Sequence, residues 1–187
     1  MKNKKIKNFN LLTVLLIISL FLTGFASVDL EIETYEDENV KFNYPADWQI
    51  VEMKDTEIFE VFITSQEFGD TVFNGFEIYG NEEVLNQLNQ VVSLQKTKLD
   101  EPDNSFEEIG AEIKKIGRIE LIEEGKRDGN LFYLFKEKGE AVDIKGHDLT
   151  LLIQADKSTA YVFGYVGFHG NFNQDLGHEI INSFKLK

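Results

Sequence analysis

Residues 42–52 read FNYPADWQIVE, and how they are read decides the fold. The segment 39–44, NVKFNY, alternates apolar and polar residues. Val40, Phe42 and Tyr44 fall on one face, and Lys41 and Asn43 on the other, the pattern of a half-buried strand. Pro45 cannot donate to a ladder, so Tyr44 is expected to end that strand. PAD then turns the chain, and Trp48, the only tryptophan, opens a second short apolar run, WQIVEM. A strand that stops at proline and resumes on a tryptophan suggests an aromatic plug laid over a sheet, with Trp48 a core residue before it is a ligand-stacking one.

Working outward, EIFEVFITS (57–65) and TVFNGFEIYG (71–80) flank the loop QEFGD and are expected to pair as a hairpin. Phe59, Val61 and Ile63 alternate with polar partners as a core face does. Residues 81–99, NEEVLNQLNQVVSLQKTKL, change period: Val84, Leu88, Val91, Val92 and Leu99 recur at helical spacing, with Leu85 beside them. Asn81 can cap that helix, and Glu82 and Glu83 suit its first turn. Pro102 and its Asp/Asn neighbours mark a loop. Strands then return. GRIELIEE (117–124) meets NLFYLFKEKG (130–139) across Asp128-Gly129, a strong hairpin signal. HDLTLLIQAD (147–156) meets TAYVFGYVGF (159–168) across Lys157 and Ser158. A last helix is expected over about 173–185, capped by Asn171 or Asn173, with Leu176, Ile180, Ile181 and Phe184 as its apolar stripe. Strands joined by tight turns, plus two amphipathic helices that need a sheet to cover, make an α+β protein.

The N-terminus belongs to targeting, not to the fold. Lys2, Lys4, Lys5 and Lys7 precede a 16-residue apolar run that exits through Gly24 and Ala26. Residues 1–26 therefore read as a secretory signal peptide cut between Ala26 and Ser27. An uncleaved anchor is the alternative, but 16 residues are short for a span that needs roughly 20. The chain has no cysteine, so lipoprotein attachment, disulfides and thiol chemistry are excluded. Residues 27–38 read as an acidic, loose lead-in, and 39–187 as one domain. Frequent Lys, Asn, Ile and Phe fit a low-GC bacterial genome.

The full chain carries 19 basic and 33 acidic residues, a net charge of −14. With the four leader lysines removed, 15 basic residues face the 33 acidic ones. Such a surface repels phosphate backbones, which argues against a nucleic-acid partner. An envelope or extracellular protein, or a cationic ligand, is the expected partner. The membrane is reached only if the leader stays uncleaved.

No catalytic constellation stands out. His147, His169 and His178 lack the i, i+4 spacing of a helical metal site, and there is no nucleophile-elbow or P-loop pattern. Asp100, Asp103, Asn104 and Glu108 lie close together, yet without EF-hand spacing or its glycine they read as a solvated acidic loop. No catalytic residue, metal ligand or cofactor is expected. The competing expectation is a metal-assisted hydrolase built on loop His, Asp and Glu residues, and a weaker one is a scavenger of cations at the cell surface.

YEDENVKFNYPADWQIVE resembles the opening motif of the PsbP-like proteins, a strand followed by Tyr-Pro-x-x-Trp. The closing segment resembles their last strand and helix, ending here in Ile180, Ile181, Ser183 and Phe184. Tyr44, Pro45, Trp48, Ser183 and Phe184 carry the resemblance. It implies a Mog1/PsbP-like fold: an antiparallel sheet sandwiched between helices, an α/β/α arrangement. It also implies a non-catalytic accessory role, here as an exported binding or assembly module of the bacterial cell envelope.

Overall fold

The computed structural model describes residues 30–51, 61–65, 87–99, 106–137 and 146–187, and period-2 alternation governs most of these. Ten strands are described among these residues: β1 (Ile32–Glu36), β2 (Val40–Pro45), β3 (Gln49–Ile50), β4 (Val61–Thr64), β5 (Gln90–Lys98), β6 (Ile119–Arg127), β7 (Asn130–Glu137), β8 (Gly146–Gln154), β9 (Thr159–Phe168) and β10 (Lys185–Leu186). Two helices accompany them, α1 (Phe106–Ile113) and α2 (Gln174–Ser183). The strands form a three-stranded sheet, β1-β2-β10, and a seven-stranded sheet, β3-β4-β5-β9-β8-β7-β6, with every described pairing antiparallel. The protein is thus α+β and mostly antiparallel. Among the described residues no helix is long and apolar enough to cross a membrane.

The stretch around Pro45 behaves differently from expectation in one detail. β2 runs through Pro45, one residue beyond Tyr44. Pro45 lies opposite Ile32 of β1, while β10 reaches only Val40 and Lys41. Among the described residues no partner therefore asks Pro45 for the N–H it lacks. Beyond it, the Ala46 N–H donates to the Glu31 carbonyl (2.8 Å) and the Trp48 N–H to the Pro45 carbonyl (3.0 Å). Trp48 is 7% exposed and stacks on Tyr165, ring centroids 6.4 Å apart.

Three further elements depart from the sequence reading. Residues 32–36, expected as a loose lead-in, form β1 and pair along their length with β2. The acids hide the alternation, but the turn is well made: the Asp37 carboxylate accepts from the Asn39 and Val40 N–H groups at 2.7 and 2.8 Å. The helix expected over 81–99 is a strand along 90–98; its first turn, with Asn81, Glu82 and Glu83, lies outside the described residues. β5 has a ladder on both sides, to β4 and to β9. Two neighbouring strands and adjacent β-branched Val91-Val92 outweigh an apolar spacing that also fits 3.6 residues per turn. Finally, α1 occupies a segment read as loop leading into strand. Phe106, Ile109, Gly110 and Ile113 form its stripe, and Gly110 lies so close to β7 that a Cβ there would sit 2.2 Å from the Tyr133 ring.

The rest follows the pattern. Asp128 (φ 52°) and Gly129 (φ 87°) make the two-residue β6–β7 turn, both in the left-handed region that an Asp-Gly pair tolerates. α2 is capped by the Asn173 side chain, which accepts from the Leu176 N–H at 3.2 Å. Of the hairpin expected at 57–80, only residues 61–65 fall within the described residues; Val61–Thr64 form β4, all four buried.

Successive residues of β7 serve two clusters, as strand geometry requires. Phe132 and Leu134 join Trp48, Phe163, Tyr165 and the α2 residues Leu176, Ile180 and Ile181. Tyr133 and Phe135 join Phe106 of α1, Leu152 and Ala160.

Candidate functional site

At one end of the β5–β9–β8–β7 strands the apolar face gives way to polar residues. Val92 and Leu94 of β5 are buried, and Lys96 and Lys98 continue the same face into solvent. Lys96 stands opposite Tyr161 and Lys98 opposite Thr159 in the β5–β9 register. Around them opens a cleft of about 400 Å³, lined by Asn39, Lys96, Asn130, Asp156, Thr159 and Lys187, with Ala155, Tyr161 and Leu186 completing it.

Each polar group arrives from a different element. Asn39 comes from the β1–β2 turn and Asn130 from the start of β7, just after the Asp128-Gly129 turn. Asp156 comes from the β8–β9 connection, Thr159 is the first residue of β9, and Lys187 follows β10. The Asp156 carboxylate accepts from the Ser158 N–H (2.7 Å) and hydroxyl (3.0 Å), which hold its pKa below the usual range and keep it ionised. Lys187 Nζ lies 3.0 Å from Glu36 Oε1 and also donates to the Asp37 carbonyl. Glu36 pairs in addition with Lys41 at 3.1 Å, and hydrogen bonds from Lys187 and Lys41 lower its pKa. Lys96 Nζ lies 5.8 Å from the Tyr161 ring centroid. The cleft thus offers two ammonium groups, two amides and a hydroxyl beside one carboxylate. These groups hold a ligand by hydrogen bonds and charge.

The residues singled out in the sequence go elsewhere. His147 and His169 share the opposite end of the β8–β9 ladder, His147 facing Gly167 and His169 just past β9 with φ 53°. His147 meets Phe172 edge-on at 5.7 Å. His178 is half-buried on α2. Among the described residues no three His, Asp or Glu side chains are grouped to hold a metal ion. Of the acidic-loop candidates, Glu108 is exposed on α1, while Asp100, Asp103 and Asn104 lie outside the described residues, as do Ala26, Ser27 and Phe59.

Near that opposite end sits Asp148, whose carboxyl burial pushes up in pKa; its oxygen accepts from the Glu137 N–H at 2.8 Å. Glu137 in turn lies 2.8 Å from Arg118. This pair reads as a structural link between β7 and β8.

The residues of the motif resemblance fall at the start of the domain and on α2 and its end. Tyr44, Trp48 and Phe184 belong to one core cluster. Ser183 Oγ accepts from the Asn43 N–H (2.8 Å) and donates to the Ile180 carbonyl (2.6 Å). The cleft itself was not found in the sequence. The one available signal was Lys-x-Lys at 96 and 98, which share a face only if 90–98 is a strand.

The fold defines the class: an α+β protein built on mostly antiparallel sheet. No family model matches the chain. None of the curated proteins matches it. Among solved structures, a Bacteroides thetaiotaomicron protein is 13% identical, with a TM-score of 0.48 over 79% of this chain and 45% of its own. The chain therefore spans less than half of that structure's length. LpqN of Mycobacterium tuberculosis, described as involved in cell envelope biogenesis, is 11% identical, with a TM-score of 0.47 over 84% of this chain and 91% of its own. Neither likeness assigns a function to this chain.

Proposed function

We propose that this protein is an exported, non-catalytic binding module of the bacterial cell envelope, released from a signal peptide near Ser27. The observation that supports it is the cleft. Six polar side chains from separate elements are gathered at the rim of a hydrophobic core, around a volume in the range of small-molecule sites. The groups are two amides, a hydroxyl and two ammonium groups beside one carboxylate. We also infer the layering that the PsbP-like resemblance implies, an α/β/α arrangement with α2 and α1 on opposite faces of the seven-stranded sheet. The packing of α2 against one core cluster and of Phe106 against the other supports it.

Capture from envelope extract tests the role. Immobilised mature chain (27–187) should retain a component that the Thr159→Trp variant, with its cleft filled, does not. Lys96→Glu provides a second variant, and thermal melts of both confirm folding. Equal capture by parent and both folded variants would remove the cleft from the function. The metal-assisted hydrolase remains the second reading, since His147 and His169 share one end of the β8–β9 ladder.

A further inference from the structure

The chain as a whole is strongly acidic, and that alone suggests cationic ligands. The rim of the cleft nevertheless gathers basic side chains. Of its lining residues, Lys96 and Lys187 stand beside the Asp156 carboxylate, and Lys187 is also paired with Glu36. Lys98 stands on the same face of β5 as Lys96, across from the lining residue Thr159. Lys185 lies directly opposite Lys41 in the β10–β2 pair, and Lys187 follows it. Arg127, opposite Asn130, donates to the Ile181 carbonyl at 3.1 Å and so fixes a guanidinium beside the same rim. Acids interleave with these groups: Glu36 and Asp37 engage Lys187, and Asp128 sits in the adjoining turn. The Debye length is about 8 Å at physiological ionic strength, so a bound ligand feels these nearby charges and little of the distant acidic surface.

Two amides and a threonine hydroxyl add hydrogen-bonding groups that suit hydroxyl and carbonyl oxygens. From this arrangement we infer that the cleft takes a small hydroxylated organic anion, a carboxylate or phosphate carried on a polyol or sugar scaffold. Lys96 and Lys98 supply the attraction for the anionic group. Asn39, Asn130 and Thr159 meet the hydroxyls, and Asp156, held ionised by Ser158, accepts from them. This inference rests on the cleft being the binding site of the protein and names what it binds.

The mature chain, labelled for NMR, tests it by titration. The anionic probes are glucuronate and glycerol 3-phosphate, the neutral ones glucose and glycerol, and the cationic one spermidine. Saturable shifts at the amides of Asn39, Lys96, Asn130 and Thr159 are expected with at least one anion. The neutral probes should bind about tenfold more weakly or worse. Whichever anion saturates tells carboxylate from phosphate. Lys96→Glu and Lys98→Glu should each weaken the anion by about tenfold. Lys115→Glu changes the net charge equally but lies just after α1, at the far end of the β6–β7 ladder, and should bind as the parent does. Melting midpoints confirm that each variant is folded, and the probe comparison stands on the parent alone. The inference is overturned if neutral probes bind as well as anions, if only spermidine binds, or if no anion saturates by about 50 mM. Cleft-dependent capture from envelope extract without anion binding would sink this inference and leave the binding role intact. Metal-dependent turnover would sink the binding role.

Discussion

Ser183 joins two parts of the chain 140 residues apart: its hydroxyl accepts from the Asn43 N–H of β2 and donates to the Ile180 carbonyl of α2. Ser183→Ala leaves that N–H without its acceptor, so a loss of about 1–3 kcal/mol is expected in denaturant melts. Trp48 plugs the core beside Tyr165, and Trp48→Ala should cost roughly 3–5 kcal/mol. An unchanged midpoint with binding lost would instead make it a recognition residue. Asp148 acts through pH. Burial raises its folded-state pKa above the ordinary value near 3.8, so the folded protein holds that proton to higher pH than the unfolded chain does. Its contribution is therefore most favourable at low pH and is lost as pH rises through the raised folded pKa. Asp148→Asn keeps an oxygen for the Glu137 N–H and removes the titration. Thermal melts should show the variant gaining on the parent as pH rises from about 4 to 7. A difference that stays constant across that range would refute this account of Asp148.

At the scale of elements, α2 depends on its first turn. Asn173 accepts from the Leu176 N–H, and Asn173→Ala should cost about 1 kcal/mol by the same melts. That helix was legible in the sequence, because cap, stripe and the Ser-Phe ending all agree. So was the β6–β7 hairpin, since Asp-Gly specifies a turn with both residues at positive φ. β5 was not legible. Val84, Leu88, Val91 and Val92 satisfy a helical period, and only the neighbours β4 and β9 decide for a strand along 90–98. α1 was missed for the converse reason. Gly110 weakens the helical signal in isolation, and its purpose, close approach to Tyr133, exists only once β7 is folded beside it. β1 was hidden by its own acids, Glu33 and Glu36, which engage Tyr44 and Lys41 of β2. The cleft was illegible for all these reasons together. Its groups come from turns and strand ends far apart in sequence, and its clearest pair, Lys96 and Lys98, lay inside the segment with the wrong period.

For the whole molecule, charge and compartment belong together. The basic leader and apolar run predict a mature protein beginning near Ser27, which N-terminal sequencing of exported material would show; an intact Met1 on membrane-bound protein would mean an anchor. The mature chain then carries a large acidic excess with a local basic rim at the cleft, a combination suited to solubility overall and to selective capture at one place. Binding without turnover is the role proposed for the protein. The most direct measurement incubates purified mature protein with ester, phosphate, peptide and glycoside test substrates, with and without added Zn²⁺ or Mn²⁺. No turnover above a metal-stripped control is expected, and Ala replacements of His147, His169 and His178 should leave envelope capture within a few-fold of the parent. Turnover that appears with either metal and disappears in one histidine variant would contradict that role.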